Sequence, residues 1–307
     1  MPVSDSSQEV IITVLVGTTA PEIGDILHDK GLIQSSLSFD IYTRVNNYRN
    51  NLQAGGYKFT QSLSVEEIVA KLVYGDVAKD LFTILPAQRL DQVKASFVSA
   101  GYSTAEINEA LKSENYSGHP ALVGLPEGAN LEGYLYPDSY QRTNTTTVAQ
   151  IIKASLDEMS SALAPELIEQ YATDGLTVYQ AVTLASVVER EVSNPSERQI
   201  VAQVFLKRYK EGIMLGSDPT ALYGALLVGI DPSVFADTPY NTRLYVGLPP
   251  GPINNVSSDS LQALANPSET DYLFFVSGDD GVTYFSSTLE EHEALTAKHC
   301  IELCKSY

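Results

Sequence analysis

The sequence predicts an α+β protein, with a small domain at residues 5–78 and a larger mixed α/β domain at residues 79–307. Three observations predict it. The opening of the chain reads strand, helix, helix, strand, an order that leaves both strands free to pair. The later chain adds further helical periods and a C-terminal hairpin. At 307 residues, 44% hydrophobic and only 19% charged, the chain is long and apolar enough for two cores.

The first strand is Glu9 to Val16, rich in β-branched residues and ended by Gly17. Ile23, Ile26 and Leu27 with a stop at Gly31 predict a helix, and Phe39, Ile41, Tyr42 and Val45 a second. Gly55-Gly56 turns the chain into a strand ending near Phe59. A helix from Val65 to Tyr74 starts at Ser64 with Glu67 three residues on, the pattern of a capping box. The domain boundary is placed near Asp76 to Lys79. Beyond it, Thr83-Ile84-Leu85 followed by Leu90, Val93, Phe97 and Gly101 echoes the first strand and helix. Duplication and a generic strand-helix-Gly unit account for that echo equally well. Helices are predicted from Thr104 to Ser113 and from Thr147 to Leu163. Between them, Leu131 to Tyr140 packs three tyrosines and two acids among Gly and Pro, which predicts a pocket wall rather than core. Asp271 to Val276 and Val282 to Ser286 flank a Gly278 to Gly281 turn, a hairpin, and Thr288 with Glu291 caps the last helix.

Thirty-eight acidic residues against 19 basic give a net charge of -19. That field repels polyanions and argues against nucleic acid and anionic lipid as partners. No apolar run has the length of a membrane span. The two cysteines, Cys300 and Cys304, are too few for a disulfide scaffold. Spaced i, i+4 on a predicted helix, they suit side-by-side packing better than a bridge, with a metal site including His299 as the alternative.

The chemistry-bearing segment is Thr177 to Val192. Thr177 and Gln180 predict a capped helix on which Val178, Ala181, Val182, Ala185, Val188 and Val192 share an arc of roughly 120°. Glu189 falls inside that arc and Glu191 on the far side, toward the expected solvent face. A carboxylate on an apolar face needs a cation, a donor or a cleft. In a cleft, desolvation raises its pKa and makes it a general acid. The competing reading is a buried ion pair with an arginine such as Arg208 or Arg243. Asp218-Pro219 predicts a helix start, with Asp as N-cap and Pro at the first position, and that helix end can also line a site. Tyr240-Asn241-Thr242-Arg243 leads into the Pro- and Gly-rich loop 247–253, whose polar neighbours can hold hydroxyl groups or serve only the turn. No Walker loop, Rossmann fingerprint or Gly-x-Ser-x-Gly elbow is present, and the four histidines are scattered. Any enzymatic chemistry therefore falls to carboxylates, with no cofactor.

Leu131–Tyr140 (LEGYLYPDSY), Leu184–Glu191 (LASVVERE), Leu215–Gly224 (LGSDPTALYG) and Tyr240–Ile253 (YNTRLYVGLPPGPI) together resemble the endolytic murein transglycosylases of the MltG, or YceG-like, family. The N-terminal unit resembles a LysM-like domain, so the likeness covers nearly the whole chain. It implies cleavage of peptidoglycan between N-acetylmuramic acid and N-acetylglucosamine without water, leaving 1,6-anhydro ends. It implies Glu189 as the catalytic acid and Glu132, Tyr134, Ser217, Asp218, Tyr240 and Asn241 as substrate-binding residues, with no metal. It further implies peptidoglycan synthases as partners and an extracytoplasmic chain on a single-pass membrane anchor that this sequence does not contain. Pro86-Ala87-Gln88 departs from the Pro-Glu-Gly that relatives often carry. Two rival readings are a non-catalytic peptidoglycan-binding scaffold of the cell-wall synthesis machinery and a glycoside hydrolase pairing Glu189 with Glu132.

Overall fold

The computed structural model describes residues 2–306 except Val16, Lys79 and Ser193; the predicted strand end at Val16 and the predicted boundary residue Lys79 lie outside the described residues. The fold is mixed α+β, with twelve α-helices and three two-stranded sheets among the described residues. Two compact units divide the chain. One comprises the chain through Pro86, Val93–Ala110 and Pro137–Ser155; the other comprises Ala87–Gln92, Leu111–Tyr136 and the chain from Leu156 onward.

The first unit opens on β1 (Glu9–Val14), α1 (Ala20–Asp29), α2 (Ser36–Val45), β2 (Gly55–Thr60) and α3 (Val65–Tyr74). β1 and β2 pair antiparallel, with Glu9 opposite Thr60 and Val14 opposite Gly55. Alternation sends Ile12 and Val14 inward, where Ile23, Leu27, Phe39, Tyr57, Phe59, Ile68 and Leu72 complete one apolar core. Such burial stabilises by about 25 cal/mol per Å² of apolar surface, an upper figure for an extended reference chain. The predicted capping box of α3 is present: Ser64 Oγ accepts from Glu67 N and the Glu67 carboxylate accepts from Ser64 N.

β3 (Leu81–Thr83) pairs antiparallel with the distant β4 (Ser139–Gln141). α4 (Leu90–Ser99) brings Phe97 to stack on Phe82 with centroids 4.0 Å apart. α5 (Thr104–Ala110) is shorter than the predicted helix to Ser113, and a 3-10 turn at Ser113–Tyr116 follows it. α6 (Val148–Ala162) matches its predicted span within a residue.

The second unit is largely helical: α7 (Pro165–Thr173), α8 (Val178–Glu191), α9 (Pro195–Lys210), α10 (Asp218–Val228), α11 (Ser258–Ala265) and α12 (Leu289–His299). Its hairpin, β5 (Phe274–Ser277) with β6 (Thr283–Ser286), forms where the Gly278–Gly281 turn predicts it. α8 packs against α7, α9, α10 and α11, and Val178 and every residue from Ala181 to Glu189 are buried. The wet face expected of α8 is thus confined to its ends, where Tyr179, Gln180 and Glu191 are partly exposed and Arg190 exposed, while the neighbouring helices cover the rest.

The cysteines also depart from expectation. α12 stops at His299, so Cys300 and Cys304 leave the helix and bond to each other, with Cα atoms 5.5 Å apart. Asp279 of the hairpin turn accepts from Ile301 N, Glu302 N and Leu303 N at 2.8, 3.0 and 2.9 Å and tethers this segment.

Candidate active site

α8 supplies two carboxylates two residues apart in unlike surroundings. Glu189 is buried, with 2% of its side chain exposed, and pairs with Arg198 at 3.3 Å. Its other oxygen accepts from Ser257 N at 3.0 Å and Ser257 Oγ at 2.6 Å. Arg198 also reaches Ser257 Oγ and Asp259. This is a buried ion pair with every oxygen engaged, and its arginine is neither Arg208 nor Arg243.

Glu191 lies partly exposed at the end of α8. Its Oε1 accepts from Ser217 Oγ at 2.5 Å. Burial of the carboxyl pushes its pKa to about 7, with the nearby Asp218 charge adding to the rise and Ser217, Arg208 and Arg190 opposing it. The helix count that puts Glu191 beside the solvent face holds only in part: the residue is partly exposed, but α10 begins against the end of α8 and covers its carboxyl.

Ser217 is the N-cap of α10, one residue before the predicted Asp218, and Pro219 follows in the first turn. Its hydroxyl makes no cap hydrogen bond to its own helix. Facing Glu191 instead, it gives up the usual role of a serine in that position. Thr242 holds the turn, accepting from Ser217 N at 3.1 Å and exchanging a hydroxyl bond with Thr220 at 2.8 Å. Asp218 pairs with Arg243. Arg208 spends its donors on Leu215 O at 2.5 Å and Leu273 O at 2.7 Å and lies over the Phe274 ring.

Glu132 occupies a separate network. Both its oxygens accept from Leu90 N, at 2.9 and 3.1 Å, and Tyr223 OH donates to Oε2 at 3.0 Å. Burial pushes its pKa to about 7 as well, against the pull of these donors. Glu132 and Glu189 thus bond to different partners. Tyr223 packs on Tyr240 with centroids 5.0 Å apart, and burial raises the Tyr240 phenol to about 12. Tyr134 is fully buried, and its hydroxyl has no hydrogen-bond partner among the described residues. Residues 131–135 are all buried, so the reading of this stretch as poor core is corrected: Leu90 N–H and Tyr223 satisfy the acid that would otherwise bar it. Asn241 is likewise buried, its amide donating to Val234 O and Ala236 O and its carbonyl accepting from Arg243 N.

The loop 247–253 is fastened to α8. Tyr179 OH donates to Pro250 O, Ile253 N donates to Ser186 Oγ, and Asn254 Nδ2 donates to Ser186 O. Gly133 (φ +86°) meets this loop, where a Cβ would overlap Pro252. The site thus gathers Glu191, Ser217, Asp218 and Arg243, with Glu132, Tyr223 and Tyr240 linked through α10.

The YceG-like family profile matches residues 12–298. The chain belongs to the YceG-like family. Relatives of this YceG-like chain include the endolytic murein transglycosylase of Streptococcus pneumoniae serotype 2 strain D39, 30% identical over 96% of this chain and 59% of that protein. The protein of the same name from Bacillus subtilis strain 168 is 29% identical over 96% of this chain and 86% of its own length. The chain spans about 59% of the length of the pneumococcal relatives it matches. Among solved structures, a YceG-like protein of Listeria monocytogenes superposes with a TM-score of 0.62 at 29% identity, covering 94% of this chain and 100% of that one.

Within this YceG-like chain, helix spacing places Glu191 only beside the solvent face, and the motifs assign no role to Arg198, Ser257 or Tyr223. Ser217 before Asp-Pro was the available signal for Glu191, because two capping residues in succession leave one free for other work. Nothing local marks Arg198 or Ser257, which meet Glu189 only through the packing of α9 and α11 on α8.

Proposed function

We propose that this chain is the catalytic part of an endolytic peptidoglycan lytic transglycosylase in which Glu191 is both acid and base. The observation that carries this reading is the carboxyl of Glu191, desolvated, partly accessible and hydrogen-bonded by one serine, with a pKa pushed to about 7. A group serving first as acid and then as base works best near the operating pH. Protonated Glu191 gives its proton to the glycosidic oxygen as the bond from N-acetylmuramic acid C1 breaks. The resulting carboxylate then takes the proton of the muramyl 6-hydroxyl while O6 closes on C1. The products are a 1,6-anhydro end and a free 4-hydroxyl; no water is consumed and one carboxyl suffices, unlike the pair of an ordinary glycosidase.

In this reading Glu189 shapes the floor of the site through Arg198 and Ser257. Residues 5–78 act as a LysM-like domain that holds the glycan, and the chain works outside the cytoplasm, where peptidoglycan lies. The rival assignment of the acid to Glu189 is separated by experiment. Purified protein given peptidoglycan should release 1,6-anhydromuramyl ends by mass spectrometry. Glu191→Gln should lower that release by at least about 10²-fold while preserving the fold. Reducing ends would mean hydrolysis, and no new ends would mean a scaffold. A folded Glu189→Gln protein as inactive as Glu191→Gln would restore Glu189 as the acid.

A further inference from the structure

We propose that Asp218 and Arg243 are a positioning pair acting on Glu191: the carboxylate favours retention of the Glu191 proton, and the guanidinium sets how strongly it does so. The proposal rests on Glu191 as the acid.

Asp218 directly follows Ser217, whose hydroxyl touches Glu191, and Arg243 Nη1 pairs with Asp218 Oδ1. One loop controls both neighbours. Thr242 accepts from Ser217 N, while Arg243 N is fixed by Asn241 Oδ1 at 2.9 Å. The charges acting on Glu191 are Asp218 from α10, Arg208 from α9 and Arg190 on α8 itself. On α11, Asp259 is engaged by Arg198. Arg208 is anchored to two neutral carbonyls, so its charge is a constant background. Asp218 differs in carrying an ionic partner, one whose side chain is 41% exposed. Removing that partner strengthens the negative field at Glu191, and removing Asp218 abolishes it.

The two halves of the pair therefore move Glu191 in opposite directions. Asp218→Asn shifts its titration to lower pH and Arg243→Gln to higher pH, each by roughly 0.5 to 1 unit, the size expected of a single partly exposed charge. A merely structural ion pair would weaken the fold in both variants and show no such opposition.

The experiment titrates the full chain carrying ¹³C-labelled glutamate, with the Glu191 carboxyl resonance assigned through Glu191→Gln, and follows anhydro-end release from peptidoglycan against pH in parallel. Opposed shifts in the resonance and in the alkaline limb of the rate profile support the proposal, as does a return toward the wild-type profile in Arg243→Lys. Shifts of the same sign, or an unmoved Glu191 titration in folded variants, overturn it. Release that survives Glu191→Gln overturns instead the acid assignment beneath it, and the carboxyl titration, independent of turnover, tells the two failures apart.

Discussion

Glu189 and Glu191 stand two residues apart on one helix, yet among the described residues one is saturated with donors and the other holds a single serine hydroxyl. Truncating Glu189 leaves Arg198 a nearly buried cation without its main partner. Breaking a buried pair in that way costs about 3 to 5 kcal/mol. Glu189→Ala is accordingly expected to lose that much stability in urea denaturation, with Glu189→Gln losing less because it retains an acceptor for Ser257. A loss under about 1 kcal/mol in Glu189→Ala would remove the structural role given to this pair. The sequence shows that an acid sits among apolar neighbours at 189. It cannot show the acid's partner, because Arg198 and Ser257 reach it from other helices and the periodicity of α8 carries no trace of them.

At the scale of elements, the capping boxes at Thr19, Ser64, Thr177 and Thr288 all form, and three of them were legible because a capping box is a contact between residues three apart. α10 was legible except for its first residue. There the cap hydroxyl turns to Glu191, a tertiary contact that overrides the local one. α10 also passes close to the loop that carries Tyr240. A Cβ on Gly224 would overlap Thr238 Oγ1 and press on Tyr240. Gly224→Ala should therefore cost about 1 to 3 kcal/mol by overpacking, despite the better helix propensity of alanine. Thermal melts against wild type check this, and an unchanged or higher melting temperature would mean that the loop yields freely. The full burial of α8 from Ala181 to Glu189 escaped the helix count, since counting assumes one wet face along the whole helix and α7, α9, α10 and α11 all pack on α8.

For the whole molecule, the Cys300–Cys304 bond closes a loop of only a few residues. Cross-linking so short a loop stabilises by about 2 kcal/mol at most in the chain-entropy account. Asp279 continues to hold the backbone of Ile301 to Leu303 whatever the state of the sulfurs. Reduction should lower stability by no more than that and leave anhydro-end release intact, measured by melts and turnover with and without dithiothreitol. Collapse of the fold on reduction would contradict it. The α+β class, the strand-helix-helix-strand opening, the C-terminal hairpin and the four ordered motifs follow from the sequence alone, because each is written in near-neighbour spacing and in residue types that suit one local geometry. The tertiary structure alone decides that β3 pairs with β4, that the cysteines leave their helix to meet, and that Glu189 is tied down while Glu191 keeps a desolvated carboxyl near pH 7. A carboxyl's role depends on the charges and donors that other segments bring within a few ångströms, and that proximity is a property of packing rather than of order along the chain.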